Sequence, residues 1–147
     1  MSHHEWNDVM YGIRLPQQNP SNEKILAFMD NHRESIYWFR DENYYPVDES
    51  NIDEFLFDYE DDMGNTGISV LIAEVIGNMF IVNTYDQYGD EYIGMYAATL
   101  FPWQSNRMSD MWKSMTPEYI ESLVKPVVEE LYGTCPKFEE HVIWNNG

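Results

Sequence analysis

The chain has 147 residues and a formal net charge of −18 at pH 7, because 26 Asp and Glu face only 8 Lys and Arg. With 44% apolar and 16% aromatic residues, it has far more core-forming side chains than disordered acidic proteins have. This length is typical of one ordinary domain. We therefore expect residues 1–147 to form a single domain, and we leave open whether residues 1–10 are a flexible N-terminus.

The charge and the cysteine count exclude several kinds of partner and compartment. Nucleic acid and anionic membranes would be repelled by so acidic a surface, so neither is expected as a direct partner. Cys135 is the one cysteine, and no intramolecular disulfide can form, whereas small secreted proteins usually need several. Neither a signal peptide nor an apolar run of roughly 20 residues is found. These features predict a cytoplasmic protein.

The first predicted element is a helix over residues 21–33. Asn19 or Ser21 is the expected capping residue, and apolar side chains recur with helical spacing after it. A short strand is predicted at residues 35–39, and a loop follows it.

The next element, residues 50–62, has the densest run of carboxylates and is predicted to be a helix. Ser50 and Asp53 have the spacing of a capping box, although Glu is the usual acid at that position. A helical apolar stripe follows at positions i, i+3, i+4 and i+7, made of Ile52, Phe55, Leu56 and Tyr59. A strand remains the alternative, since aromatic residues also alternate through positions 55, 57 and 59.

Three consecutive strands are predicted in the middle of the chain. Residues 68–76 form an almost continuous apolar run rich in β-branched residues, which is typical of a strand buried on both faces. A turn at 63–67 precedes this run. Residues 79–85 and 92–101 are the two further strands, so we expect an antiparallel meander.

The last part of the chain contains a connection, a helix and a strand. Residues 102–114 form a connection that contains Trp and Met. Thr116 and Pro117 are strong helix-start signals, and Gly133 is expected to end that helix. Residues 141–144 are a candidate edge strand. The elements together predict an α+β fold, a small antiparallel β-meander of three to five strands with two or three helices packed mainly on one face.

The distribution of charge gives the main indication of function. Residues 41–106 contain fourteen carboxylates and no Lys, Arg or His, and so carry 14 of the 18 net negative charges. Self-repulsion of this size lowers stability, and solubility alone requires a net charge of only about 2 to 8 in a small domain. The excess predicts a surface that binds a basic partner, with generic solubility or salt adaptation as the alternative.

The spacing of charges between residues 53 and 62 resembles that of nucleic acid if this segment is helical. Six carboxylates would then span about 13.5 Å, one per about 2.7 Å. Duplex DNA carries one charge per about 1.7 Å over both strands and about 3.4 Å per strand. As a strand the spacing would double and the likeness would be lost.

Phe57 lies on the acidic side of the predicted helix and is a candidate interface anchor with a charged rim. Carboxylates at the hairpin loop around residues 86–91 form a second candidate patch, although turn chemistry explains them as well. The residues predicted to contact the partner are Asp53, Glu54, Phe57, Asp58, Glu60, Asp61, Asp62, Asp86, Asp90 and Glu91.

Other kinds of site have weak support. Asp58, Glu60 and Asp62 alternate as in a calcium loop, but Met63 and Ser69 stand where an EF-hand needs Gly and Glu. The chain has no zinc-ligand spacing, catalytic serine motif, phosphate loop or dinucleotide fingerprint. We therefore predict no catalytic residue, no metal, no cofactor and no enzyme activity. Glu74 is unusual within its apolar run, and a lone acid does not define an active site.

In size, charge and lack of catalytic motifs, the chain is similar to two groups of proteins. One comprises phage- or mobile-element-encoded inhibitors that mimic nucleic acid to block restriction or CRISPR nucleases. The other comprises bacterial immunity proteins that neutralise basic nuclease toxins. No motif is shared, so no residue acquires a role from this resemblance. It implies an acidic inhibitor that binds a basic nucleic-acid-binding protein and occludes its site.

Two alternatives stay open at this stage. The first is an immunity protein against a basic toxin. The second is a non-catalytic interaction module that binds through the Trp- and Met-containing residues 103–115, with the acidity serving only solubility. The sequence leaves the oligomeric state undetermined, and a homodimer remains possible.

Overall fold

The central strand of the sheet is β1 (Glu5–Arg14), a segment to which no sequence pattern assigned an element. The computed structural model describes residues 5–101, 104–107 and 115–146. β1 pairs antiparallel with β3 (Glu91–Phe101) on one side and with β5 (Glu139–Asn146) on the other. β2 (Val82–Tyr85) and β4 (Gln104–Arg107) pair antiparallel with opposite ends of β3. The strand order is therefore β2-β3-β1-β5, and the strand predicted at 141–144 lies at the edge as expected.

Two glycines allow β1 and β3 to approach closely. Gly12 and Gly94 are register partners. A Cβ atom added to Gly94 would lie 2.2 Å from the carbonyl oxygen of Tyr11, and one added to Gly12 would lie 2.1 Å from that of Ile93. Any side chain at either position would push the two central strands apart.

The described residues contain four α-helices and one 3-10 helix. They are α1 (Asn22–Asn31), the 3-10 helix (Tyr37–Arg40), α2 (Ile52–Asp58), α3 (Ile68–Ile76) and α4 (Pro117–Tyr132). None of these helices is both long enough and apolar enough to cross a membrane.

Local capping explains the boundaries of α1 and α4. The side chain of Ser21 accepts a hydrogen bond from the backbone N–H of Lys24 at 3.3 Å. The hydroxyl of Thr116 likewise accepts the N–H of Tyr119 at 3.2 Å, and Gly133 ends α4 in the left-handed conformation with φ 79°. These contacts satisfy amide groups that a helix end leaves free. Both helices were predicted from the same signals, and both predictions are confirmed.

The main hydrophobic core lies between the helices and one face of the sheet. Ile13 of β1 and Ile93 of β3 are fully buried there. The helices contribute fully or almost fully buried residues to the same cluster, among them Ile25, Phe28, Ile52, Phe55, Leu71, Ile72, Ile120, Val124 and Val128. A smaller cluster of Met10, Tyr92 and Ile143 lies on the other face, because successive side chains of a strand point to opposite sides. The predicted α+β class, with an antiparallel sheet and helices mainly on one face, is confirmed.

The strand predicted at residues 68–76 is wrong, because this segment is helix α3. Gly67, with φ 93°, precedes the helix, and Gly77 ends it in the left-handed conformation. Four residues of α3 are nearly inaccessible to solvent: Ile68, Val70, Leu71 and Ile72. The helix is therefore buried on several sides, and its sequence lacks the polar face that would have marked it as a helix. A buried helix of nine residues has the same continuous apolar run as a buried strand. The predicted three-strand meander is accordingly wrong: β2 and β3 correspond to its second and third predicted strands, and β1 pairs with the other side of β3.

Two smaller predictions also fail. Residues 35–39 contribute to a 3-10 helix rather than a strand, since the N–H of Asp41 bonds to the carbonyl of Trp38. The capping box at Ser50 does not form, because its hydroxyl donates to Asp48 at 2.5 Å and Asn51 precedes the helix instead. The helix itself is present, but it ends at Asp58.

Candidate functional site

α2 presents an acidic arc to solvent, with an aromatic ring inside it. Consecutive helical residues are rotated by about 100°, so Asp53, Glu54, Phe57 and Asp58 share an arc of about 140°. All four are exposed, and the ring of Phe57 is 80% exposed. The opposite side of α2 carries the buried Ile52 and Phe55. The predicted exposed position of Phe57 is therefore correct, and its role as an anchor remains a prediction.

The chain leaves the helix after Asp58 and forms a turn, so the continuous ten-residue acidic helix is absent. Glu60 and Thr66 form an isolated antiparallel bridge around this turn. The six-charge helical spacing therefore does not apply, and helical geometry relates only the carboxylates of Asp53, Glu54 and Asp58. The density of charge along this surface depends on the tertiary arrangement instead.

Asp61 holds the turn together. Its Oδ1 atom accepts the backbone N–H groups of Met63 and Asn65, each at 2.9 Å, and its Oδ2 atom accepts the side-chain amide of Asn65 at 3.0 Å. Most acceptor positions of this carboxylate are thus occupied within the chain. Asp61 orders the loop and contributes charge, but its oxygens are poorly placed to accept hydrogen bonds from a partner.

Five exposed carboxylates remain in this region, and we call them the α2 acidic surface: Asp53, Glu54, Asp58, Glu60 and Asp62. Within the ranges that the structure describes, none of the five forms a salt bridge; the ion pairs seen there involve Arg14, His32 and Arg33. Asp53 accepts one long hydrogen bond, from the side chain of Asn22 at 3.5 Å. The negative charge of this surface is therefore not compensated locally.

A cleft of about 670 Å³ opens beside the α2 acidic surface. The 3-10 helix, the turn after α2, helix α3 and strand β2 all contribute to its walls. Six carboxylates line it, those of Asp41, Asp58, Glu60, Asp61, Asp62 and Glu74, together with the aromatic residues Tyr37, Trp38 and Tyr59. No Lys, Arg or His is among its described lining residues. Its volume is in the range of typical ligand sites, and its lining suits a cation.

Glu74 forms part of the inner wall of the cleft. Its Oε2 atom accepts the backbone N–H of Tyr37 at 2.9 Å and the hydroxyl of Tyr59 at 3.1 Å. Its Oε1 atom is buried and has no hydrogen-bond partner among the described residues. Burial raises the pKa of Glu74, and the two hydrogen bonds and nearby Arg40 only partly oppose this effect.

Trp38 is the packed aromatic residue of the cleft, and Tyr37 is the exposed one. The ring of Trp38 contacts those of Phe55 and Tyr59, with centroids 5.3 and 6.1 Å away, and its indole N–H donates to the carbonyl of Tyr45 at 3.2 Å. Tyr37 is 54% exposed, and the guanidinium of Arg40 lies 5.8 Å from the centre of its ring. No sequence pattern marks these residues as a site, because they come from separate elements.

The carboxylates of the second predicted patch, around residues 86–91, mainly contact other groups of the same protein. Asp86 accepts the N–H groups of Tyr88 and Asp90 and the hydroxyl of Tyr92. Asp90 lies 3.7 Å from Arg14 and accepts the amide of Gln17. These contacts make the two acids part of the hairpin turn, rather than an open surface.

Glu91, the third member of that patch, points into the protein. Burial raises its pKa, and hydrogen bonds with Tyr85 and Ser69 partly oppose that effect. Ser69 is fully buried. Glu91 therefore belongs to a partly buried polar network and is engaged within the fold, rather than presented to a partner.

The side chains of His32 and Cys135 interact within the fold and do not form a reactive site in the described residues. The ring of His32 is tilted by 51° against that of Phe28, with centroids 4.7 Å apart, and its Nε2 atom lies 2.9 Å from Glu130. Burial raises the pKa of the Cys135 thiol to about 11, which opposes formation of a reactive thiolate. Throughout the described ranges, no three His, Cys, Asp or Glu side chains have the arrangement of a metal site. Most of the Trp- and Met-containing segment 103–115 lies outside the described residues.

Comparison of the chain with family models, with curated proteins and with solved structures gave no match.

Proposed function

We propose that this protein is an acidic inhibitor that binds a basic nucleic-acid-binding protein and occludes the surface on which nucleic acid lies. The target class is a nuclease, a restriction enzyme or a CRISPR effector, encountered in the cytoplasm. The observation that carries this proposal is the α2 acidic surface, whose five carboxylates form no salt bridge within the described ranges. Three of the five, Asp58, Glu60 and Asp62, also line the neighbouring cleft.

The physical action would be electrostatic attraction followed by steric blockage. An uncompensated acidic surface accelerates encounter with a basic one and orients it, and this effect weakens as salt screens the charges. The carboxylates would occupy positions that phosphates fill in the target's complex with nucleic acid. The exposed ring of Phe57 would supply apolar contact area at the centre of a charged rim.

A capture experiment tests the proposal. The immobilised protein would be incubated with bacterial lysate at about 50 mM and at about 200 mM salt, and bound proteins would be identified by mass spectrometry. We expect a basic nucleic-acid-binding protein that is retained at low salt and released by added DNA. A purified target should then lose DNA binding in the presence of the protein.

Matched variants define the surface that is used. The substitutions Glu54→Gln and Asp58→Asn remove two charges from the α2 acidic surface. Glu139→Gln and Glu140→Gln remove two from exposed positions on β5. The first pair should weaken capture and the second should not. Capture that survives high salt, is indifferent to DNA and is equal for both variants would contradict the proposal and favour binding through residues 103–115.

The immunity-protein alternative shares this physical mechanism and differs in the identity of the target. Both groups present carboxylates to a basic nucleic-acid-binding surface. Capture of a secreted or injected nuclease toxin would favour immunity, whereas capture of a resident restriction or CRISPR nuclease would favour inhibition of defence.

A further inference from the structure

We infer that the cleft between the 3-10 helix, the turn after α2 and helix α3 receives an arginine side chain of the basic partner. This inference rests on the proposed function for the partner's identity, and it deepens that function by naming the group that the partner inserts. It is supported by the volume and the aromatic residues of the cleft and by the exposed carboxylates at its entrance, in addition to its overall charge.

The dimensions of the cleft fit a side chain better than a single ion. A water molecule takes about 30 Å³ in the liquid, whereas the cleft holds about 670 Å³. An extended side chain with a terminal charged group can lie within such a space, and its aliphatic part would lie against Val70 and Ala73 in the wall. The entrance carries the exposed carboxylates of Glu60 and Asp62, which would draw the positive group inward.

The aromatic lining distinguishes arginine from lysine. A planar guanidinium stacks on aromatic rings and forms paired hydrogen bonds with carboxylates, whereas an ammonium is a strongly hydrated point charge. One such contact exists within the chain beside the cleft, where the guanidinium of Arg40 lies 5.8 Å from the centre of the Tyr37 ring.

The entrance carboxylates are available to bind the guanidinium. The side chains of Glu60 and Asp62 are exposed and make no hydrogen bond with other described residues. The five N–H groups of a guanidinium allow one arginine to contact both carboxylates together. Oε1 of Glu74 also has no hydrogen-bond partner among the described residues, but it is inaccessible to solvent, so it is not a contact atom for the guanidinium.

The test uses blocked arginine, N-acetyl-arginine amide, as the probe and follows the protein by ¹⁵N NMR. Blocked citrulline has nearly the same planar shape but no charge, and blocked lysine has the charge but no planar guanidinium. We expect arginine to shift the backbone amides of Tyr37 and Glu74 and the indole N–H of Trp38. Lysine should bind about fivefold more weakly, and citrulline should give no saturable shift.

Two paired variants test whether arginine binds in the cleft itself, rather than being attracted by the overall negative charge of the protein. Glu60→Gln with Asp62→Asn removes two entrance carboxylates whose side chains make no hydrogen bond with other described residues. Glu139→Gln with Glu140→Gln removes the same charge on β5. The first variant should weaken arginine binding about fivefold or more, and the second less than about twofold. Equal effects, shifts spread evenly over the acidic face, or equal binding of citrulline would overturn the inference.

The arginine probe needs no partner, so this test can fail independently of the proposed function. Arginine binding in the cleft without capture of any basic nucleic-acid-binding protein would retain the site and contradict the function. Capture of such a protein with an affinity unchanged by the Glu60 and Asp62 substitutions would retain the function and overturn the inference. Calcium that binds the same residues tightly and displaces the arginine probe would also overturn it.

Discussion

The hydroxyl of Tyr59 donates a hydrogen bond to Oε2 of Glu74 at 3.1 Å. The same hydroxyl accepts the backbone N–H of Trp38 at 3.1 Å, so one side chain joins the end of α2, helix α3 and the 3-10 helix. Burial and the neighbouring Glu74 carboxylate raise the pKa of Tyr59, which keeps the hydroxyl protonated at neutral pH. This connection fixes the separation of the walls of the cleft.

Tyr59→Phe should destabilise the protein by about 1–3 kcal/mol, because it leaves the N–H of Trp38 and the carboxylate of Glu74 without this partner. The measurement is the free energy of unfolding from urea denaturation. Tyr88→Phe is the matched control, since the side chain of Tyr88 is 82% exposed, and it should change stability by less than about 0.5 kcal/mol. Equal stabilities of the two variants would contradict the structural role of Tyr59.

Removal of charge from α2 should slow association with a captured target. Glu54→Gln with Asp58→Asn reduces the local field, so we expect the association rate constant at low salt to fall several-fold while dissociation changes less. Surface plasmon resonance over a salt series would measure both rates. The slope of the association rate against salt should also become shallower, and an unchanged slope would show that these carboxylates do not face the target.

Phe57→Ala should weaken binding to the target without changing the stability of the fold. The ring is 80% exposed, so its loss should change the free energy of unfolding by less than about 0.5 kcal/mol. If the ring is an anchor, affinity for the target should fall about tenfold or more, mainly through faster dissociation. Tyr88→Ala removes an equally exposed aromatic ring and is the control. Equal affinities of the two variants would remove Phe57 from the interface.

Stability should rise as the pH falls from 7 towards 5, in part because of Glu91. Burial holds the folded-state pKa of Glu91 above its ordinary value of 4.5, so the folded state binds this proton more tightly than the unfolded state. The resulting destabilisation is fully present above the folded pKa and disappears as the pH falls towards 4.5. Thermal unfolding across this range should therefore depend less on pH in Glu91→Gln. Glu54→Gln, at an exposed position, is the control and should keep the wild-type dependence.

Gly94→Ala should be severely destabilising, by about 3 kcal/mol or more. The new Cβ would lie 2.2 Å from the carbonyl oxygen of Tyr11, so β1 and β3 would have to separate. Gly89→Ala is the control, because its φ of 85° is strained for alanine but no atom lies within 4 Å of the added Cβ. Its cost should be about 1–2 kcal/mol. A Gly94→Ala protein as stable as this control would contradict the close approach of the strands.

The parts of the fold that were predicted correctly depend on neighbours in the sequence. Ser21 and Thr116 cap helices because their hydroxyls reach amide groups three residues later, and Gly133 ends a helix through its own backbone freedom. Such contacts are almost independent of the remainder of the chain. Likewise, the predicted exposure of Phe57 follows from the helical period of α2.

The failures concern segments whose conformation depends on distant contacts. Residues 68–76 are apolar in either conformation, and packing of α3 against α4 and β2 selects the helix. β1 contains Asn7, Asp8 and Gly12, which have low strand propensity. It is nevertheless the central strand, because β3 and β5 supply its hydrogen-bond partners from both sides.

By itself, the sequence determined the charge, the concentration of 14 of the 18 net negative charges in residues 41–106, the α+β class and the ends of the capped helices, since these follow from composition and short-range contacts. Only the tertiary structure decided which carboxylates remain available. Glu91 is partly buried in it, and Asp61 and Asp86 accept hydrogen bonds within turns. The carboxylates of the α2 acidic surface have no positive side chain paired with them in the described residues. The tertiary structure also brings Tyr37, Tyr59 and Glu74 together into one cleft. Burial and hydrogen bonding depend on atoms that are distant in sequence, so spacing along the chain does not reveal them.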